Sequence, residues 1–221
     1  MKPLIALFLI IAASTPLAAQ TRRPPTPPPS PDEPLISVRG YFLGAYQQFA
    51  AKTTFDAVFG KAAQPFWGGG VQLAFRHGPF VEVSGSQFKK NGQRAFLFNG
   101  ESFRLGIPLT ATVTPVELTG GYRFHLADYS AFRPYVSAGV GWYGYKETSS
   151  FSDADGTVDT RRKGYLANVG VEQRLHRWIG VAVDAQYTHI PGIIGTGGIS
   201  KEANEKDLGG VAARVRVIVG R

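Results

Sequence analysis

The sequence predicts an all-β protein, an eight-stranded antiparallel up-and-down transmembrane β-barrel with a polar, charged lumen. Three observations predict it. The chain holds 27 glycines in 221 residues with 12% aromatics, a composition that favours strands over helices. After Pro34 its apolar residues recur with a period of two, the spacing of a strand that shows a different face to each side. Its connections alternate between tight turns and long polar stretches, the asymmetry of barrels that cross a membrane.

The first 20 residues, MKPLIALFLIIAASTPLAAQ, carry one lysine, an apolar stretch from Leu4 to Ala13 and then small residues. This is the pattern of a secretory signal peptide, expected over residues 1–19 and removed near Ala19 or Gln20. The apolar stretch is shorter than the ~20 residues that a spanning helix needs. A Pro-rich segment follows and is read as a periplasmic linker, so the domains are signal peptide 1–19, linker 20–34 and barrel 35–221. With no cysteine there is no disulfide framework, zinc thiolate site or thiol nucleophile. The formal net charge of +8 is spread along the chain instead of concentrated on a patch or helix. It therefore points to phosphorylated lipid at a membrane surface and not to nucleic acid.

Eight strands are expected near 35–49, 66–76, 79–89, 103–124, 133–147, 163–175, 178–189 and 207–220, with no convincing amphipathic helix. RHGP (76–79) and LHRW (175–178) read as tight turns, and HLADYSAFRP (125–134) as a somewhat longer one. Residues 50–65, 90–102, 148–162 and 190–206 read as the long loops of the opposite end.

Splitting each strand into its two faces separates apolar from charged residues. Val211, Val215, Val217 and Val219 oppose Arg214 and Arg216, and Ile179, Val181 and Val183 oppose Asp184 and Gln186. The polar face holds Arg39, Arg76, Glu82, Glu117, Arg123, Glu172, Arg174, Asp184, Arg214 and Arg216, a lumen charge network with a structural role. Arginine suits bidentate pairing in confined places, whereas Lys52, Lys61, Lys89, Lys90, Lys146, Lys163, Lys201 and Lys206 fall in the expected loops. The fourth strand changes phase between Val113 and Val116, so a bulge or bend is expected at Pro115. Nine residues from Ile179 to Tyr187, at ~3.3 Å each and tilted ~40°, rise about 23 Å, close to the ~25 Å apolar band of membrane barrels. Trp67, Trp142 and Trp178, with Tyr41, Tyr46, Tyr135, Tyr145, Tyr165 and Tyr187, fall mostly near strand ends, where interfacial girdles belong.

TPVELTGGYRF (114–124), FRPYVSAGVGWY (132–143), GYLANVGVEQRL (164–175) and LGGVAARVRVIVG (208–220) together resemble the small outer-membrane β-barrel family of OmpA/OmpX type. The resemblance covers about residues 35 to 221. It implies an eight-stranded barrel in the outer membrane of a Gram-negative bacterium, carried by export chaperones and inserted by the barrel-assembly machinery, most simply as a monomer. Family members usually end in an aromatic residue, and this chain departs from them by ending Val219-Gly220-Arg221. Cell-wall anchoring, as in longer relatives, is not implied.

No catalytic or cofactor chemistry emerges. His77, His125 and His176 fall at the expected short turns and His189 at the opposite rim, without metal-ligand spacing. Glu117 and Glu172 read as partners of lumen arginines and not as a glycosidase pair. The expected function is therefore non-enzymatic and needs no cofactor: a barrel with a structural or surface-interaction role, its outer loops meeting other surfaces or lipopolysaccharide. The alternatives are a narrow small-solute channel and a soluble lipocalin-like binding barrel.

Overall fold

The computed structural model describes residues 34–98, 101–126, 132–149 and 158–220. The expected signal peptide and, apart from Pro34, the linker lie outside the described residues. Eight antiparallel strands follow one another around a closed ring: β1 (Ile36–Phe49), β2 (Ala63–Phe75), β3 (Pro79–Phe98), β4 (Glu101–Arg123), β5 (Phe132–Ser149), β6 (Val158–His176), β7 (Ile179–His189) and β8 (Gly210–Gly220). β8 closes onto β1 from Arg39↔Gly220 to Phe49↔Gly210. Closure leaves no strand edge unpaired, the condition for placing backbone N–H and C=O groups in hydrocarbon.

The ring has two unlike ends. One carries the turns at Arg76–Gly78 and Arg177–Trp178, together with the start of β1 and the end of β8. The other carries two short helices, α1 (Lys52–Phe59) and α2 (Gly198–Glu202), which correct the expectation of helix-free loops. Neither is long enough for a helical period to stand out from the sequence, and α1 takes its N-terminal cap from a residue far along the chain, described below.

Two further expectations are corrected at the loop end. Residues 90–102 and 148–162 do not form simple loops: β3 runs on to Phe98 and β4 begins at Glu101, while β5 reaches Ser149 and β6 begins at Val158. Above the lipid neither face of a hairpin meets hydrocarbon, so apolar alternation no longer marks the strand; pairing continues, as in Phe96 stacked on Phe103 at 5.5 Å.

There is also no slip at Pro115. The β3–β4 register is the same on both sides of it, Gly85↔Val116 and Phe88↔Val113, and β4 pairs with β5 continuously through Pro115↔Tyr143. The apparent change of phase arises because Leu109, Ala111 and Val113 face inward with Glu117, Thr119 and Arg123. It is the interior that changes character along the strand. The register shifts that do occur lie between Gln93 and Ala95 and between Arg174 and His176.

The outward face is apolar over one continuous band. Val183 on β7 sits between Val171 and Val215 on its neighbours and is 56% exposed. Tyr46, Trp67, Trp142, Tyr165 and Tyr187 line the upper margin of this band, while Phe75, Tyr122, Phe132 and Trp178 line the lower. Tyr41, Tyr135 and Tyr145, expected in those girdles, point inward and are buried. Val183→Arg places a charge near the middle of the band and is expected to lower the stability of the refolded barrel by about 2–4 kcal/mol. Urea titration in lipid bilayers measures it, and a change within error of zero would mean that this face does not meet hydrocarbon.

Candidate functional site

The interior of the ring is the place where side chains of all strands converge, and it has two layers. The layer toward the turn end is ionic. Seven charged residues are buried there, four arginines (Arg39, Arg123, Arg214, Arg216) and three carboxylates (Glu82, Glu172, Asp184), and a further carboxylate, Glu117, is buried above them. Glu172 on β6 receives Arg39 from β1 at 2.6 Å and Arg123 from β4 at 3.2 Å. Arg216 on β8 reaches Glu82 on β3 at 2.8 Å and Asp184 on β7 at 3.0 Å, and Arg214 meets Asp184 at 2.5 Å.

Asp184 and Arg214 are direct cross-strand neighbours. The Arg39–Glu172 and Arg216–Glu82 pairs instead join strands three places apart around the ring, so they bridge the lumen instead of lining it.

Neutral groups complete the layer. Gln72 donates to Glu82 at 3.0 Å and accepts from Arg123, and the Tyr135 hydroxyl donates to Asp184 at 2.6 Å. Arg216 stacks over the Tyr41 and Tyr135 rings at 5.2 and 5.0 Å, and Arg123 over Phe80 at 4.9 Å. Glycine makes room for these rings: a Cβ on Gly70 would lie 2.5 Å from the Tyr41 hydroxyl, and one on Gly170 2.7 Å from the Tyr135 hydroxyl.

Three of the expected network residues have other surroundings. Glu117 was expected to pair with arginine. It is held by the Tyr143 hydroxyl at 2.9 Å, by Gln186 at 3.0 Å and by Ser84 at 3.5 Å. It stands higher in the lumen, where the interior turns apolar and neutral donors replace guanidinium. Arg76 is half-buried in the β2–β3 turn and belongs to none of the ion pairs above. Arg174 is half-buried near the end of β6 and has contacts of its own.

Toward the loop end the interior is hydrophobic. Phe49, Phe66, Phe88, Val113 and Tyr145 of the strands pack with Phe55 of α1 and with Ile190, Ile193, Ile194 and Leu208 of the β7–β8 connection. Phe49 and Phe55 stack with centroids 3.9 Å apart. α1 therefore enters the mouth of the ring and closes it with an apolar plug.

Carboxylates hold this mouth in place. Glu205 accepts the backbone N–H groups of Thr53 and Thr54 at 2.8 Å each and the Thr54 hydroxyl at 2.6 Å, capping α1 from the far side of the chain. Asp207 accepts the N–H groups of Ile190 and Gly209 at 2.8 Å and pairs with His189 Nδ1 at 2.6 Å. Glu202 on α2 accepts the Leu97 N–H from the β3 extension at 2.9 Å. A cavity of about 470 Å³ remains among α1, the β3–β6 extensions and residues 193–200. Among the described residues no three His, Asp or Glu side chains gather as a metal site.

Sequence reasoning missed the plug and its carboxylate anchors, of which Glu202 and Glu205 hold backbone amides more than a hundred residues away. One signal was available: the inward positions of β4 change from charged to apolar at Pro115.

Two outcomes follow. Glu172→Ala leaves Arg39 and Arg123 without their shared carboxylate and is expected to cost about 3–5 kcal/mol in urea unfolding, less where water enters the lumen. Glu172→Leu paired with Arg39→Met should recover part of that loss, and an unchanged Glu172→Ala midpoint would dismiss the bridge. The second concerns Glu205. Partial burial pushes its pKa up, but hydrogen bonds from the Thr54 hydroxyl and from the Thr53 and Thr54 backbone outweigh it, so its pKa lies below the ordinary 4.5. Because the folded value is the lower one, its stabilisation of α1 is complete above the ordinary value and is lost as pH falls through the folded one. Hydrogen-exchange protection at Thr53 and Thr54, corrected for the intrinsic pH dependence of amide exchange and followed from neutral pH downward, should fall in that window for the wild type and be low throughout for Glu205→Ala.

A family model of the outer membrane protein beta-barrel domain matches residues 4–210. Among solved structures, Neisserial surface protein A aligns with a TM-score of 0.52 at 12% identity, over 83% of this chain and 96% of its own. The N-terminal β-barrel domain of Pseudomonas aeruginosa OprF aligns at 0.48 and 13% identity over 84% and 97%. OprG from the same organism aligns at 0.46 and 16% identity over 84% and 92%. No curated protein matches the chain. The family match, covering most of the chain, agrees with the closed ring and its apolar outer band: the chain belongs to the outer membrane protein β-barrel domain family, whose place is the Gram-negative outer membrane.

Proposed function

We propose that this protein is a closed barrel that works through its outward-presented loop end, in a structural or surface-interaction role, and not as an open pore or an enzyme. The observation that carries this reading is the double closure of the lumen. Ion pairs cross the ring in one layer, and α1 with its phenylalanine cluster fills the next. Eight strands enclose only enough space for side chains, so a solute would have to displace both layers to pass. A soluble binding barrel would bury its valines, whereas here Val183, Val211, Val215 and Val219 are all more than half exposed.

On this reading the short turns face the periplasm, the helices and tall hairpins face outward, and the shape they present is fixed by Glu202, Glu205 and Asp207. Chaperoned export, insertion by the barrel-assembly machinery and a monomeric state complete the proposal. Purified full-length protein in planar bilayers is expected to show no stable conductance. Deleting α1 alone should leave it silent, because the ionic layer still blocks the lumen. Long-lived conductance steps from the wild type would overturn the closed-barrel reading in favour of a channel.

A further inference from the structure

We propose that the outer surface of β4, β5 and β6, just above the upper aromatic girdle, is a binding site for a phosphate-bearing lipid headgroup of the outer leaflet. The inference concerns the outside of the barrel and is independent of whether the lumen conducts. Strand register sets out the site as a grid. Across β4, β5 and β6 the outward positions read Val116–Trp142–Lys163 in the lowest row, Thr114–Gly144–Arg161 in the next, and Thr112–Lys146–Asp159 above that.

Gly144 stands at the centre without a side chain. The result is a dent of about 620 Å³ lined by Thr114, Val116, Trp142, Gly144, Arg161 and Lys163. Three outward cations, Arg161 and Lys163 in its lining and Lys146 in the row above, stand against one carboxylate, Asp159, which lies opposite Lys146; Arg162, also in the lining, donates instead to the Gly192 carbonyl at 3.2 Å. Among the described residues none of the three cations forms an ion pair with a protein carboxylate.

Height decides what such a site meets. Below Trp142 the outward residues of β5 are Val140, Ala138 and Val136, and below Lys163 those of β6 are Tyr165, Ala167 and Val169. The cations therefore begin in the row of Trp142, where aromatic rings mark the hydrocarbon boundary, and continue two rows above it, into the level of headgroup phosphates. The feature is also one-sided. β3 adds Lys89, exposed and opposite Thr112, whereas at the corresponding height β1 presents Gln48, β2 presents Pro65 and Ala63, and β7 presents His189, already engaged by Asp207. A guanidinium beside an ammonium and a threonine hydroxyl offers a forked donor, a point charge and a neutral donor to one phosphate. The indole of Trp142 floors the dent against the first part of the acyl or sugar moiety. The lysines of this group were expected in loops; paired strands hold them in register instead.

The test uses the full-length protein refolded into phosphatidylcholine nanodiscs that contain bisphosphorylated lipid A or its dephosphorylated form, with retained lipid counted by native mass spectrometry. The wild type is expected to retain the phosphorylated glycolipid and not the dephosphorylated one. Arg161→Gln/Lys163→Gln should lower retention by about five-fold per cation removed, the strength of one cation at an anionic surface. Arg161→Lys/Lys163→Arg should keep most of it, and Lys201→Gln on α2 should change nothing. Thr114→Phe, which fills the dent and leaves every charge in place, should also weaken retention; heat-modifiable gel mobility establishes that each variant is folded. Equal retention of the dephosphorylated lipid, an unaffected double variant, or a loss as large in Lys201→Gln would overturn the site. Displacement of the lipid by inorganic phosphate would identify a free-anion site and overturn the headgroup assignment.

Discussion

The structure depends on a geometric constraint: a ring of eight strands has an interior no wider than the side chains that fill it. Closure is obligatory in hydrocarbon, because an open sheet would leave a row of backbone groups without partners. Once the ring is closed, each inward residue must be packed or paired with another inward residue. That is why the four buried arginines share the carboxylates Glu82, Glu172 and Asp184, and why glycines stand on the lumen face where tyrosine rings lie across it. An unpaired guanidinium in such a space would carry a desolvation cost of several kcal/mol.

The same constraint explains why the interior has two layers. The β7–β8 connection and α1 bring Ile190, Ile193, Ile194, Leu208 and Phe55 into the ring. Those side chains need apolar walls, so the inward positions of β1, β3 and β4 at that height are Phe49, Phe88, Ala111 and Val113 in place of charges. Glu117 lies at the transition. It is too high to share an arginine with the ionic layer, and Tyr143, Gln186 and Ser84 supply it with neutral donors. The plug thus decides the composition of the strands beneath it as much as the strands decide where the plug sits.

Legibility in the sequence follows the same division. Where one face of a strand meets lipid and the other meets paired charge, alternation is strong and the strand can be read almost residue by residue: β7 was expected at 178–189 and spans Ile179–His189. Arg39, Glu82, Arg123, Glu172, Asp184, Arg214 and Arg216 stood out for the same reason, as charges interleaved with valines. Where neither face meets lipid, as in the β3–β4 and β5–β6 extensions, the pattern disappears although the pairing continues. Where the inward face turns apolar and the outward face polar, as at Leu109, Ala111 and Val113 against Thr110, Thr112 and Thr114, it inverts and mimics a slip. Partners across the lumen were illegible for a different reason. Period-two reasoning says which face a residue occupies, but whether Glu172 meets Arg39 from β1 or Arg214 from β8 depends on tilt and shear, which no single strand encodes.

The loop end poses the opposite problem from the membrane band, and the protein solves it with different chemistry. Loops there have no lipid to order them and cannot share the strand ladder, so their backbone N–H groups need acceptors. Carboxylates from distant sequence supply these: Glu205 at the start of α1, Asp207 at Ile190 and Gly209, Glu202 at Leu97. Glu205 and Glu202 tie the β7–β8 connection to α1 and to β3, and Asp207 braces that connection internally, so the surface they form is fixed before anything binds to it. Binding to such a surface avoids the entropy of ordering loops that a flexible set would have to lose. Because α1 is both plug and part of that surface, what touches the loop end also bears on the apolar layer beneath it, through Phe55 against Phe49 and Phe88. The ionic layer lies beyond that, anchored strand to strand, and does not depend on the state of α1. Closure of the lumen and presentation of the outer surface are thus coupled at one end of the barrel and independent at the other.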